Sequence, residues 1–268
     1  MSNVHASAIV EGDVKLGEGV EIGPFCVVRG DVTLGDGVRL LSGVSVQGPA
    51  VIGKNTILYP GAAIGYEPQD YKFKPGAETA GVVIGEDSIL REHTTVHAAT
   101  KTDVPTRVGD RVMMMVGSHA GHDSVVGNDV ILVNNVLLAG HTEVHDRVVM
   151  SGGVMMHQFG RVGRGVMCSG GSILSNDVPP FCMTAGRNMV VGLNKVGMRR
   201  SGMSKDEMEA VRRAYRDVLR KNPPLSEMQD MLDERAQASE AVRVMADFVR
   251  DAKRPLMPVG GRKSQGRD

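Results

Sequence analysis

The chain has 268 residues, 31 Lys and Arg against 31 Asp and Glu, 34 glycines and no tryptophan. Zero formal net charge removes the bulk electrostatic case for a nucleic-acid binder and leaves only local basic patches. No apolar run reaches the roughly 20 residues of a membrane span, Met1–His5 lacks the features of a secretory leader, and the three cysteines form no CxxC pair, so a cytoplasmic protein without a disulfide framework is expected.

From Val4 the chain counts in sixes. Val10, Leu16, Ile22, Val28, Leu34, Leu40, Val46, Ile52, Leu58 and Ile64 are all aliphatic. A glycine often follows (Gly17, Gly23, Gly35, Gly53), and an apolar or small residue stands two places earlier (Val14, Val20, Cys26, Val32, Val38, Val44). A short fixed period of this kind marks a parallel β-helix. Each six supplies a short strand and a corner, and three sixes make one triangular turn of eighteen residues. Stacked aliphatic rows fill such a narrow prism, which suits a chain poor in aromatics. Cys26 and Cys168 fall in these rows as small buried hydrophobes rather than nucleophiles.

The period breaks at about 65–81 (GYEPQDYKFKPGAETAG), a polar stretch with two prolines, and resumes at Ile84, Leu90 and Val96 two residues out of phase. That segment therefore leaves the coil. A second misfit, about 99–107, keeps the phase, which runs on through Val108, Met114, Ala120, Val126, Leu132, Leu138, Val144, Met150, Met156, Val162, Cys168 and Leu174. Loops on a rigid prism are where function is expected. About nine turns follow from the count. Asp177-Val178-Pro179-Pro180 is expected to end them, since proline cannot donate to a ladder, and the β-helix is assigned to 1–190.

Residues 191–252 form an α-helical C-terminal domain. Ser204-Lys205-Asp206-Glu207 is a capping box, and Met208, Val211, Tyr215, Val218 and Leu219 recur on one helical face. Asn222-Pro223-Pro224 stops that helix, a second begins at Ser226, and a third spans about Ser239 to Arg250. Residues 253–268, basic and rich in Gly and Pro, are expected to be a disordered tail.

Dividing position by eighteen leaves 11 for His119, 14 for His122, 13 for His157, and 15 for both His141 and Asp123. These residues fall near one edge of the prism on three successive turns, with Asp123 directly below His141. The count puts His93 and His97 elsewhere on the turn, able to reach the cluster only from a neighbouring subunit, and gives His5 and His145 no partner. Imidazoles beside a carboxylate suit general-base work near neutral pH. No Gly-x-Ser-x-Gly or reactive cysteine accompanies them, so direct attack by a substrate hydroxyl is favoured over a covalent enzyme intermediate. His119-x2-His122 with His141 also offers three nitrogens of the kind zinc accepts; the expectation is nevertheless no metal and no cofactor.

The run Ser118-His119-Ala120-Gly121-His122-Asp123, with Val126-Gly127-Asn128, Asn134-Asn135, Leu138-Ala139-Gly140-His141, His157-Gln158-Phe159, Asp177-Val178-Pro179-Pro180 and Pro68-Gln69-Asp70-Tyr71-Lys72, resembles the hexapeptide-repeat acyltransferases of lipid A synthesis. Among these it is most similar to the acyl-carrier-protein-dependent UDP-N-acetylglucosamine O-acyltransferases, over about residues 4–250. The resemblance implies a left-handed parallel β-helix, a homotrimer with sites between subunits, and transfer of a 3-hydroxyacyl chain from acyl carrier protein to the glucosamine 3-hydroxyl of UDP-N-acetylglucosamine. It implies His122 as general base, Asp123 orienting it, and the Gly140 N–H at the thioester oxyanion. It further implies Asp70, Lys72, His141, His157 and Gln158 on sugar and diphosphate, and His97 and His119 along the subunit interface. Asn194 and Arg200 would contact uridine, although Val196 and Ser201 depart from the family's acidic and third basic positions. Gly170 aligns with the side chain that limits acyl length, and a glycine there implies a long chain. Basic residues near the C-terminal helices would receive the acidic carrier protein. Transfer to a 3-amino sugar nucleotide, a related lipid A N-acyltransferase, and a non-catalytic scaffold are the alternatives.

Overall fold

In the computed structural model, which describes residues 2–260, the chain winds as a left-handed parallel β-helix. Its sides are sheets of eleven, nine and eight strands, built from every third strand of the chain except for the last two strands of the eleven-stranded sheet. Strands this short are not stable alone; stacking holds them. Ile22, Leu40, Leu58, Leu90, Met114, Leu132, Met150 and Cys168 form one inward row in register, none more than 2% exposed. Covering each such side chain above and below contributes roughly 1.5–3 kcal/mol per large aliphatic residue. Where the neighbouring row turns polar, at Thr56 and Ser88, the hydroxyls bond to Gly85 O (2.9 Å) and Gly109 O (3.1 Å), so no donor is stranded. Cys26, Cys168 and Cys182 are buried and unpaired. Burial pushes the Cys168 thiol up to about 12 and raises Cys182 as well.

Pairing registers give the true length of each excursion. Partners in a regular turn lie 18 positions apart. Leu58 pairs with Leu90, 32 positions on, and Thr95 with His119, 24 positions on. The first excursion therefore adds fourteen residues (32 less 18), which explains the shift of two in phase. The second adds six (24 less 18), one whole side of the prism. Phase survives such an insertion, but every later residue is carried one side further round.

At the amino end nothing among the described residues covers the first turn, and Val4, Ile9 and Val10 are 42%, 42% and 37% exposed. The other end is closed. Pro179 and Pro180 turn a corner without ending the coil: Cys182–Thr184 still pairs in parallel with Met167–Cys168, and Val190–Leu193 then returns antiparallel along it. Helix α1 (Lys195–Arg200), which periodicity does not signal, is capped by Asn194, whose Oδ1 accepts from Gly197 N–H at 2.9 Å. Helix α2 (Lys205–Ala214) begins at the expected box, with Ser204 Oγ accepting from Glu207 N–H. It runs on through a wide turn at Tyr215–Leu219. Helix α3 (Leu225–Ala236) starts one residue before Ser226, and α4 (Glu240–Arg250) is capped by Ser239. No helix among the described residues is long and apolar enough to cross a membrane.

Residues 253–260 correct the expectation of a disordered tail. Met257 N–H donates to Asp177 O at 2.7 Å, Leu256 and Val259 bridge to Asp177 and Val190, and Met257 is buried. Leu256, Met257 and Val259 are the apolar contacts that a reading of basic, Gly- and Pro-rich composition overlooked. Residues 261–268 lie outside the described residues.

Asp177 sits where this return, the last turns and α4 meet. Its side chain is fully buried; Oδ1 accepts from Arg161 N–H (3.0 Å), while Oδ2 has no hydrogen-bond partner and lies 3.6 Å from Arg161 Nη1. The same guanidinium donates to Phe248 O (3.1 Å) and stacks on the Phe248 ring. Burial pushes the Asp177 carboxyl up to about 6. An acid whose folded pKa lies above its unfolded one stabilises the fold while protonated, and that contribution is lost as pH rises through the folded value. Thermal unfolding followed from about pH 4 to 8 should therefore show stability falling as pH rises out of the ordinary carboxyl range and levelling off above about pH 6. Asp177→Asn should lack that component; identical slopes in both proteins would remove Asp177 as its source.

Candidate active site

Where the chain leaves the nine-stranded sheet, three successive turns have a corner residue with positive φ. Asp123 (φ 59°), His141 (58°) and Phe159 (62°) fill it on successive turns. Aspartate visits this region readily. Stacking turns this column into a line of contacts. Asp123 Oδ2 lies 3.6 Å from His141 Nε2, and the His141 ring stacks on Phe159 with centroids 4.6 Å apart and planes 5° from parallel. One place earlier stand His122, Gly140 and Gln158. A Cβ on Gly140 would lie 2.5 Å from His122 Cε1 and Nε2, so the imidazole fills the space that glycine leaves.

His122 is 8% exposed and its Nδ1 lies 2.7 Å from Asp123 Oδ2. Adjacency in sequence left that contact open; the positive φ of Asp123 closes it. The carboxylate also accepts from Thr100 N–H at both oxygens (3.1 and 3.2 Å) and from Thr100 Oγ1 at Oδ2 (2.8 Å). Burial works to raise the Asp123 pKa, but the hydrogen bonds from His122 and Thr100 outweigh it and hold the carboxyl below its usual range. An ionised carboxylate only accepts, so His122 Nδ1 carries its proton and Nε2 presents a lone pair. Gly140 is buried, and its N–H has no acceptor among the described residues. Burial lowers the His141 pKa while Asp123 acts against that fall.

His119 lies on the same edge with Nδ1 2.7 Å from Thr95 Oγ1. Burial, then the nearby His97 and His122, pushes its pKa down to about 4, so it is neutral near pH 7. His97 corrects the count in eighteens. Because the second excursion inserts one whole side, His97 reaches the cluster within its own chain, its ring centroid 5.4 Å from that of His119. His93 stays apart, its ring against Gly61. His157 stands one turn beyond Ala139, with Nδ1 2.9 Å from Gln158 O, which also accepts from Arg254 of the returning C-terminal segment. The first excursion is anchored by Glu67 O to His97 Nδ1 (2.6 Å) and carries exposed Lys72; Asp70 is close enough to His141 to bias its charge.

Asn194 and Arg200 are not brought to this cluster. They line a separate cleft of about 1170 Å³ between the eleven-stranded sheet and the start of the helical domain, with Arg147, Arg164 and Met167. The Asn194 side chain is engaged there, with Nδ2 donating to Gly165 O and Oδ1 capping α1. Gly170 is an exposed corner where an added Cβ would meet only Gly152 O at 3.4 Å and Ser151 Cβ at 4.0 Å. Ligand atoms of His122, Asp123 and His141 lie within 4.8 Å of one another. Asp123 Oδ2 accepts from Thr100 N–H, Thr100 Oγ1 and His122 Nδ1, which fixes the orientation of the His122 imidazole.

Residues 177–257 match the family model described as UDP N-acetylglucosamine O-acyltransferase, domain 2. An acyl-[acyl-carrier-protein]–UDP-N-acetylglucosamine O-acyltransferase from Campylobacter concisus is 37% identical over 264 residues, 98% of this chain and 100% of that one. The chain belongs to this O-acyltransferase family. A Synechocystis member is 41% identical over 168 residues, 62% of this chain and 60% of its own. The structure of Francisella novicida UDP-N-acetylglucosamine acyltransferase superimposes with a TM-score of 0.92 at 33% identity, covering 97% of this chain and 95% of that one. In this O-acyltransferase the residues that sequence reading missed are Thr100, Thr106 and Arg254. The available signal for the first two was the in-phase misfit ATKTDVPT, which implies a whole inserted side.

Proposed function

We propose that the protein transfers a 3-hydroxyacyl chain from acyl carrier protein to the 3-hydroxyl of the glucosamine in UDP-N-acetylglucosamine, the first step of lipid A biosynthesis, as a cytoplasmic homotrimer. The observation that carries the reading is the His122–Asp123 pair at 2.7 Å beneath the unpaired Gly140 N–H. His122 Nε2 takes the proton as the sugar oxygen attacks the thioester carbon. The Gly140 N–H stabilises the oxyanion that forms. Its collapse breaks the C–S bond, and the departing carrier thiolate takes the proton back from His122, leaving the imidazole as it began. His141, His119, His97, His157, Gln158, Asp70 and Lys72 are assigned to holding the sugar diphosphate along this edge.

The separation of Asn194 and Arg200 from His122 supports a site completed across subunits, with uridine contacts from the neighbour. Exposed Leu137 and Met155 on the outer face of the nine-stranded sheet support burial there against another copy. Exposed Arg199, Arg200, Lys205, Arg220 and Lys221 suit an acidic carrier protein.

Purified protein with 3-hydroxyacyl carrier protein and UDP-N-acetylglucosamine should yield a product heavier by one acyl group, cleaved by mild base as an ester. Offered beside it, the 3-amino analogue of the same sugar nucleotide tests the alternative: faster conversion of that analogue to a base-stable amide would mean an amine acceptor, and no product from either would leave a scaffold. Open space at Gly170 favours long chains, so a fourteen-carbon donor should outpace a ten-carbon one. Gly170→Met should reverse that order; faster turnover of the shorter donor by the unaltered protein would refute it.

A further inference from the structure

We propose that Thr100 is a positioning residue that decides which histidine the Asp123 carboxylate orients, and that the second excursion is the device that delivers it. The proposal rests on the acyl-transfer reading above. Asp123 stands between two imidazoles, with one oxygen, Oδ2, 2.7 Å from His122 Nδ1 and 3.6 Å from His141 Nε2. A carboxylate on two rotatable bonds has no intrinsic reason to favour the first. Thr100 supplies one. Its N–H bridges both oxygens and its hydroxyl donates to Oδ2 at 2.8 Å, which fixes the plane of the carboxylate and turns Oδ2 toward His122. Thr106, fully buried where the strand resumes, completes the hold by accepting from the Asp123 N–H at 2.8 Å.

An ordinary side of the prism has no residue able to do this. Between Val96 and Thr106 a plain corner would pass straight to the next strand. The six inserted residues let the chain lift out and set Thr100 over a carboxylate that lies 23 positions later. The backbone N–H contacts survive any side-chain change, so the hydroxyl is the separable part.

Thr100→Val keeps the shape and the N–H contacts and removes only the Oγ1 donor. A hydrogen bond to an ionised group is worth about 10- to 100-fold, and the expected result is a kcat about 10- to 50-fold lower with KM for both substrates nearly unchanged and an unfolding temperature lower by only a few degrees. Thr100→Ser should restore kcat to within about threefold, because it returns the donor. The His122 Nδ1–H resonance should shift in the valine variant and recover in the serine variant. A valine variant with unchanged kcat overturns the proposal, as does a serine variant as slow as the valine one. If the unaltered protein transfers no acyl group, the acyl-transfer reading falls, and the imidazole resonance still decides whether Thr100 sets the pair.

Discussion

His122→Ala is expected to lower kcat about a thousand-fold, the middle of the range for a positioned general base, with KM little changed. The protein should stay folded, because Asp123 keeps its Thr100 contacts and its backbone tie to Thr106. A steady-state comparison with the unaltered protein, alongside a melting curve, separates lost chemistry from lost structure. A fall of less than about tenfold would be too small for the base itself. It would point to His141, whose Nε2 approaches the same oxygen.

Gly140→Ala should be nearly as damaging, for a geometric reason. Gly140 does not have a positive φ, so alanine suits its backbone. The obstacle is the imidazole: the new methyl would sit 2.5 Å from two atoms of the His122 ring. The ring must swing away, which breaks the 2.7 Å contact with Asp123 and moves Nε2 from the attacking hydroxyl. Misplacement of this order costs about a hundred-fold or more, so a kcat within fivefold of the original would show that the ring has room to move. Gly192 is the natural control, since an added Cβ there meets no atom within 4 Å.

The period of six made the coil legible before any coordinates, because an aliphatic row in a narrow prism tolerates few exceptions. It also carried the approach of His122, Asp123 and His141, which lie on one side of both excursions and are separated by regular turns. The capping box at Ser204 and the proline stop at Pro223 were equally local and equally legible. What stayed hidden was non-local. His97 was misassigned because an insertion of one full side leaves no trace in the phase, and Thr100 was missed for the same reason. Helix α1 is one short turn-and-a-half containing Gly197, with too few residues for an apolar face. The return of 253–260 depends on two bridges and one buried methionine, which no repeat announces.

The two ends of the column differ, and that difference gives its unravelling a direction. Solenoid turns hold only to their neighbours, and the first has a neighbour on one side alone, while the last lies under helices and the returning segment. Among the described residues the uncovered first turns, with Val4, Ile9 and Val10 partly exposed, are therefore expected to open before the covered ones, and hydrogen exchange would read that order. The histidine-bearing turns lie deep in the stack, so opening of the first windings should leave the His122–Asp123 contact in place.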